Sequence, residues 1–182
     1  MIEFDIARMV IQYLCLLFAL SVHEASHAAM ANRQGDPSAQ LMGRVTLNPL
    51  SHIDPIGTVV LPLIMMLSQV PFLVGWARPV PFNPRNLKDI HRDPMWIALA
   101  GPAANLITAL VTILAAAGIV AVVGLQHVPP MMIHGLGSMI FINFALFVFN
   151  LIPVPPLDGH HVLLYVLPES GRRVMESIRP FG

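Results

Sequence analysis

Long apolar runs separated by short polar stretches make up most of this chain. Glu24 is the one charged residue between Arg8 and Arg33, and residues 9–30 are long enough to cross a hydrocarbon core of about 30 Å as a helix. Residues 95–125 contain no charged residue, which is typical of a membrane-spanning helix. The pattern therefore predicts two spanning helices in these runs.

A third apolar run covers residues 135–157 and contains the amides Asn143 and Asn150 before three prolines near its end. We predict a third spanning helix here, loosened by those prolines close to its C-terminus. Residues 126–134 connect it to the second helix, and residues 162–167 are too short to span.

The remaining apolar run, residues 56–75, is interrupted by Pro62 and Pro71 and is barely long enough to span. It predicts either a helix or a re-entrant hairpin. The polar residues 31–55 and 76–94 on either side are rich in proline and other turn-forming residues, which predicts loops or short extended segments.

Composition excludes a soluble domain. Hydrophobic residues make up 55% of the 182 and charged residues 11%, whereas soluble domains carry about 25% charged residues. We predict an all-α membrane protein, a polytopic helical bundle with re-entrant or short extended segments, that forms a single domain over residues 1–182. A signal peptide is the alternative for the first run, but Glu3 and Asp5 stand where such peptides need basic residues.

Charge and cysteine content exclude two further classes of protein. Ten basic residues are balanced by ten acidic ones and lie scattered along the chain, so no basic patch indicates a nucleic-acid partner. The single cysteine, Cys15, cannot form an intrachain disulfide, so no disulfide framework holds the fold.

His23, Glu24 and His27 form the pattern HExxH within the first predicted helix. Histidines four residues apart project from one helical face, where both can hold one zinc ion, and the glutamate between them can activate a bound water. Ionisable groups inside a membrane segment cost free energy unless they are paired or bind a metal, so three of them within five residues indicate a shared function. The alternative is that these side chains line a water-filled crevice or pair with other polar groups without a metal.

A catalytic zinc site needs a third protein ligand, and Asp158 is the best candidate. It follows the last apolar run, where Gly159 lets the backbone turn, so an ordinary Asp-Gly turn at a helix end is the alternative. His160 and His161 are rival ligands that either face the membrane surface or support Asp158 by hydrogen bonds. Asn150 can bond a substrate carbonyl or the developing oxyanion, or simply another helix.

Three segments together resemble a known family. HEASH at residues 23–27, GPAAN at 101–105 and NLIPVPPLDG at 150–159 are similar to motifs of the site-2 protease family of intramembrane zinc metalloproteases, in its compact bacterial and archaeal form. Residues 43–57 and 75–84 also look like this branch, so the resemblance covers nearly the whole chain. The long third motif is far more specific than HExxH alone.

The resemblance implies a site and a reaction. His23, His27 and Asp158 would bind Zn²⁺. Glu24 would be the catalytic base, and Asn150 would assist at the active site. The implied enzyme is a zinc metalloendopeptidase that hydrolyses peptide bonds in or near the membrane segments of substrate proteins.

Metal binding requires the two histidines and Asp158 to lie at one depth in the membrane. Because both sets lie toward the C-terminal ends of their runs, the first and third spanning helices must run in the same direction. With the first helix entering from outside, nine of the ten basic residues face the cytoplasm and Arg8 alone lies outside. This predicts a multi-pass protein of the plasma or inner membrane with its active site toward the cytoplasm, and it makes residues 56–75 a re-entrant hairpin.

Two other functions compete with proteolysis. A membrane transporter or metal carrier can use the same polar residues, but the sequence has no visible inverted repeat. A catalytically silent adaptor would not need Glu24 between its histidines. For the protease we expect a membrane-protein substrate within the lipid bilayer, held extended by a strand edge. Residues 41–48 are the candidate edge, with an ordinary loop as the alternative. The resembled family usually continues into another membrane helix after a segment like residues 178–182, and this sequence departs from that pattern.

Overall fold

The structure, a computed structural model, describes residues 5–70 and 72–172. Within these ranges there is no strand, and the α-helices are α1 Ile6–Arg33, α2 Ser38–Leu41, α3 Leu61–Leu67, α4 Asp93–Val123, α5 Pro130–Asn150 and α6 Gly159–Val166. Residues 169–172 are also helical. Short 3₁₀ turns cover Pro49–Ser51, Pro84–Asn86 and Leu125–His127, and a π-helical turn, Pro55–Val60, leads directly into α3.

Three of these helices, α1, α4 and α5, are long and apolar enough to cross a membrane. The predicted class, an all-α membrane protein, is confirmed. The first two predicted spans agree closely with α1 and α4. The third helix begins at Pro130 rather than at residue 135, because a proline fits the first turn of a helix, where its missing N–H would have had no partner. The connector between α4 and α5 is therefore shorter than predicted.

Helices α1 and α5 run parallel to each other. Near their starts, His134 Nε2 lies 3.3 Å from the carbonyl oxygen of Arg8. At the other end, Asp158 just after α5 meets His23 and His27 in the last turns of α1. The direction that a common ligand depth requires is therefore the direction observed.

Helix α4 runs antiparallel to α1. The side-chain amide of Asn105 donates to the carbonyl of Ala19 at 3.1 Å, and the carbonyl of Ile97 lies 2.7 Å from Nδ1 of His27. Earlier residues of α4 thus meet later residues of α1. As a result, the first half of α4 lies beside the HExxH segment.

The described residues 56–70 and 72–75 form the two arms of a hairpin. The chain runs out through α3 as far as Leu67 and comes back as an extended stretch over residues 72–83, here called the returning segment. The backbone N–H of Trp76 donates to the carbonyl of Gly57 at 3.3 Å. The hydroxyl of Thr58 also donates to the carbonyl of Trp76 at 2.8 Å, so the two arms lie side by side where these residues meet.

The returning segment also joins the apolar core. Its Ala77 is 6% exposed and packs with side chains of α1 and α5. The buried members of this cluster are Cys15, Leu16, Ala19, Leu20, Ala77 and Ile142. This packing holds the following residues of the returning segment against the C-terminal half of α1.

Asp36, just after α1, fixes the loops at this end of the bundle. Its fully buried carboxylate accepts hydrogen bonds from the backbone N–H of Ser38 and Asn83, the hydroxyl of Ser38 and the amide of Asn86. Burial alone raises the pKa of this carboxyl, but the hydrogen bonds hold it below its ordinary value of 3.8. The anion therefore ties the end of the returning segment to the end of α1.

Residues 41–48 do not form the strand edge considered for them. They contain the end of α2 and a turn in which Gly43 has a positive φ of 68°, a conformation that reverses the chain. Extended backbone near the HExxH segment comes instead from the returning segment. Some residues used in the sequence analysis lie outside the described part of the chain. They are Glu3, Pro71, residues 178–182 and, among the ten basic residues, Arg173 and Arg179.

Candidate metal centre

Three side chains from distant parts of the sequence meet near the end of α1. The Nε2 atoms of His23 and His27 lie 3.0 Å apart, and Oδ2 of Asp158 lies 3.2 Å from the first and 3.3 Å from the second. Both histidines are buried, and the Asp158 side chain is 19% exposed. Two imidazole nitrogens and one carboxylate oxygen at one point are the donor set of a three-ligand zinc site.

Close helix packing explains how this cluster fits inside the bundle. His23 and His27 are four residues apart, so one face of α1 carries both rings. Gly101 of α4 lies against them. A methyl group at position 101 would be 2.4 Å from Nε2 of His27 and 2.7 Å from Cε1 of His23. Helix α4 reaches the rings because residue 101 has no side chain, and small residues allow such close helix contact.

Gly101→Ala is therefore expected to displace both imidazoles and to weaken zinc binding by about 10- to 100-fold, as loss of ligand orientation does in other zinc sites. Competition with a chromophoric chelator measures this affinity in the purified protein. Gly118→Ala is the matched control, since it makes the same change in α4 with no atom within 4 Å of the new methyl group. Equal zinc affinity in the two variants would contradict the packing argument.

Each histidine is held by its other ring nitrogen. Nδ1 of His27 donates to the carbonyl of Ile97 at 2.7 Å, and Nδ1 of His23 lies 2.6 Å from Oδ1 of Asn105. A backbone carbonyl can only accept, so Nδ1 of His27 carries the proton and Nε2 keeps a lone pair. Histidines that bind metals are usually oriented in this way. The residues present therefore fit a zinc ion.

Glu24 lies beside the cluster and is 8% exposed. Its Oε2 accepts a hydrogen bond from the backbone N–H of Val80, in the returning segment, at 3.1 Å. Its Oε1 has no hydrogen-bond partner among the residues that the structure describes. One oxygen is thus fixed by the backbone and the other is available for proton transfer.

A buried cation holds the returning segment in place. The guanidinium of Arg44, which is 5% exposed, donates to the carbonyls of Arg78 and Pro79 at 2.9 Å each, and also to that of Ser51. Charge-assisted hydrogen bonds of this kind are stronger than neutral ones. The N–H that bonds Glu24 follows directly after the two clamped carbonyls, so its position depends on Arg44.

The loop between α5 and α6 brings Asp158 to the histidines. Helix α5 ends at Asn150, and the proline-rich turns that follow fold back on themselves. A methyl group at Gly159 would lie 2.3 Å from the carbonyl oxygen of Leu151, so the loop closes around a glycine. The Asp-Gly pair both presents the carboxylate and begins α6.

The rival ligands His160 and His161 are not part of the cluster of donor atoms found in the described residues. The His160 ring packs edge-on against that of His161, with centroids 5.4 Å apart, and His161 packs against Phe82. Asn150 donates to the carbonyl of Leu146, in its own helix, at 3.0 Å. Among the described residues, Asn150 makes no hydrogen bond to His23, His27 or Asp158.

Sequence reasoning missed several residues that touch the site or support it. Asn105 was named only as part of the GPAAN motif, and Asn143 only as an amide in an apolar run. Both side chains are fully buried in the structure. The sequence did contain one signal of function, namely a polar amide within each apolar run. The roles of Arg44 and of the Val80 N–H depend on how the hairpin folds back, and no local pattern indicates that.

Three helices able to span a membrane, with two histidines and an aspartate meeting between them, are features of a membrane zinc metalloprotease. A profile of peptidase family M50 matches residues 11–179. The chain belongs to this family, the site-2 protease family, as the three motifs indicated.

Relatives with known names support the same assignment. "Putative zinc metalloprotease YwhC" of Bacillus subtilis is 34% identical over 176 residues, which cover 92% of this chain and 74% of the relative. Two proteins named Rip2, from Mycolicibacterium smegmatis and Mycobacterium tuberculosis, are 30% and 29% identical over 91% of this chain. The chain spans 61% of the length of either Rip2 protein. No solved structure matches the chain.

Proposed function

We propose that this chain is an intramembrane zinc endopeptidase that hydrolyses peptide bonds in or near the membrane segments of substrate proteins. The observation that carries the proposal is the convergence of His23, His27 and Asp158 on one point, beside Glu24, at the end of a helix able to span the membrane. Such a donor set leaves one coordination position for water, which is the arrangement of catalytic rather than structural zinc.

In this proposal His23, His27 and Asp158 hold the zinc ion through Nε2, Nε2 and a carboxylate oxygen. Bound there, zinc would supply a Lewis acid that activates water and polarises the scissile carbonyl. Gly101 gives the rings their room, while Ile97 and Asn105 orient them. These residues of α4 therefore set the geometry of the ligands.

Glu24 is the proposed general base. With Oε2 held by the Val80 N–H, its Oε1 accepts the proton of the attacking water and passes it to the leaving amine. Asn150 is the proposed assisting residue that donates to the substrate carbonyl oxygen. The amide of Asn150 donates one proton to the carbonyl of Leu146, so this role uses the second proton of the same nitrogen.

The proposed location is the plasma or inner membrane, with three crossings and the site toward the cytoplasm. The spanning lengths of α1, α4 and α5, together with the basic residues at the site end of the bundle, support this orientation. The proposed partner is a membrane-protein substrate. Its cleaved segment must be locally unwound, since an intact helix hides its carbonyls in hydrogen bonds.

Zinc removal tests the function. The purified protein is expected to cleave a peptide that contains a membrane segment, to lose this activity when a chelator removes zinc, and to regain it when one equivalent of zinc returns. The readout is product formation in detergent micelles, and a soluble zinc protease assayed in parallel controls for effects of chelator on the substrate. Cleavage that persists in zinc-free protein would contradict the proposal.

The competing transporter is tested on the same preparation. Reconstituted into liposomes, the protein is expected to move no more zinc across the bilayer than empty liposomes, as followed by a dye trapped inside. Zinc uptake that depends on the protein and survives Glu24→Gln would favour the carrier instead. The family to which the chain belongs favours the protease.

A further inference from the structure

A chain of buried amides links the metal centre to the third spanning helix. Asn105 in α4 and Asn143 in α5 are both fully buried, and His23 in α1 is 5% exposed. The hydrogen bonds that link these residues are short. His23 Nδ1 lies 2.6 Å from Oδ1 of Asn105, Nδ2 of Asn105 lies 2.8 Å from Oδ1 of Asn143, and Nδ2 of Asn143 lies 2.9 Å from the carbonyl oxygen of Met139. The three long helices thus meet in one hydrogen-bonded line.

The direction of every hydrogen bond in this line follows from its last member. The carbonyl of Met139 can only accept, so Asn143 turns Nδ2 toward it and presents Oδ1 to Asn105. Asn105 must then turn its Nδ2 toward that oxygen. The second proton of the same nitrogen reaches the carbonyl of Ala19 at 3.1 Å. Both amide protons of Asn105 are therefore used.

The consequence falls on His23. With Nδ2 of Asn105 committed to two acceptors, its Oδ1 is the atom that faces the imidazole, and an amide oxygen can only accept. Nδ1 of His23 must therefore carry the proton. Its Nε2 keeps the lone pair that a metal needs and faces Asp158 and His27. A flipped amide at Asn105 would put a donor against the protonated nitrogen.

We propose that Asn143 is a positioning residue of the metal centre, acting through Asn105 to fix the tautomer and the orientation of His23. This inference rests on the proposed function, since it assumes that His23 binds zinc. No hydrogen bond joins Asn143 to His23, Glu24 or Asp158 in the described part of the chain. Its effect on the metal is therefore carried by the amide of Asn105.

The test is the zinc affinity of Asn143→Leu, measured by chelator competition. The variant keeps the number and branching of the side-chain heavy atoms but removes the oxygen that holds Asn105, so zinc binding is expected to weaken by about tenfold, the low end for loss of an outer partner of a ligand. The Co²⁺-loaded protein should show an altered visible absorption spectrum as well. Asn143→Ser is the second variant, because its hydroxyl would bond its own helix, as those of Ser21 and Ser26 do here.

Two controls separate positioning from loss of stability. Ile142→Ala leaves a cavity one residue away in α5, so it should lower the melting temperature yet leave zinc affinity within about twofold of wild type. In an Asn105→Leu background, Asn143→Leu should have no further effect on zinc affinity, because the residue through which it acts is gone.

The outcomes are distinct. Wild-type affinity in both Asn143 variants, or an equal loss in Ile142→Ala, would overturn the positioning role while the proposed function stands. An additional loss from Asn143→Leu in the Asn105→Leu background would also overturn it. Failure of the wild-type protein to bind zinc would overturn both proposals.

Discussion

Glu24→Gln is expected to lower the turnover number for peptide cleavage by about 10²- to 10⁴-fold, the usual contribution of a general base, while zinc binding stays at the wild-type level. The amide keeps the size of the side chain and can still accept the hydrogen bond from Val80 through its oxygen. What it loses is the ability to take up a proton. The measurement is the initial rate of cleavage at saturating substrate, paired with the zinc content of the same sample.

Ser26→Ala is the matched control for this variant. Ser26 lies within the same HExxH segment, but its hydroxyl donates to the carbonyl of Val22 in its own helix at 2.7 Å. Removing it should leave the cleavage rate close to that of wild type. Wild-type turnover in Glu24→Gln would remove Glu24 from the mechanism. A joint loss of activity and zinc would show that Glu24 acts on the metal site and not as a base.

Asp158→Ala is expected to weaken zinc binding by more than the roughly 10- to 100-fold that loss of an outer partner costs, since it removes one of three donors outright. Among the described residues, the variant also removes the one anion in contact with the two histidine Nε2 atoms. Asp5→Ala is the control, because it deletes the carboxylate that caps the start of α1, at the far end of the helix that carries the histidines. Equal zinc affinity in Asp158→Ala and wild type would exclude Asp158 from the ligand set.

Much of the fold could be predicted because a membrane-spanning helix must be long and apolar, which is visible in a sequence. A span needs about 20 apolar residues, so α1 and α4 were visible as runs with almost no charge. The hairpin over residues 56–75 followed from a topological argument, since parallel helices left no crossing for it. The start of α5 was predicted too late, because His134 and the prolines before it were assigned to a connector. A proline is compatible with the first turn of a helix, so α5 begins at Pro130.

The candidate site was predictable as far as its chemistry is local. His23 and His27 could be paired because residues four apart share one face of a helix. Asp158 could be proposed because a catalytic zinc site needs a third protein ligand, and Asp158 follows the last apolar run. The contacts of Arg44 and Val80 could not be found in this way. They are made by backbone atoms of the returning segment, whose path depends on how the hairpin packs against α1.

The buried amides show a different limit. Asn105 and Asn143 are 38 positions apart in the sequence, and their hydrogen bond depends on the register between α4 and α5. Each could be recognised singly as a costly polar group in a spanning helix. Which atom of each amide donates depends on acceptors in α1 and α5, so the orientation of His23 needed the three-dimensional structure.

X-ray absorption at the zinc edge tests most directly whether these three side chains hold one metal ion. The purified wild-type protein should contain one zinc per chain, surrounded by two imidazole nitrogens and by oxygen donors at about 2.0–2.2 Å, with no sulfur. In Asp158→Ala any residual zinc should lose the carboxylate contribution. A wild-type spectrum with fewer than two imidazoles, or one that Asp158→Ala leaves unchanged, would contradict the account.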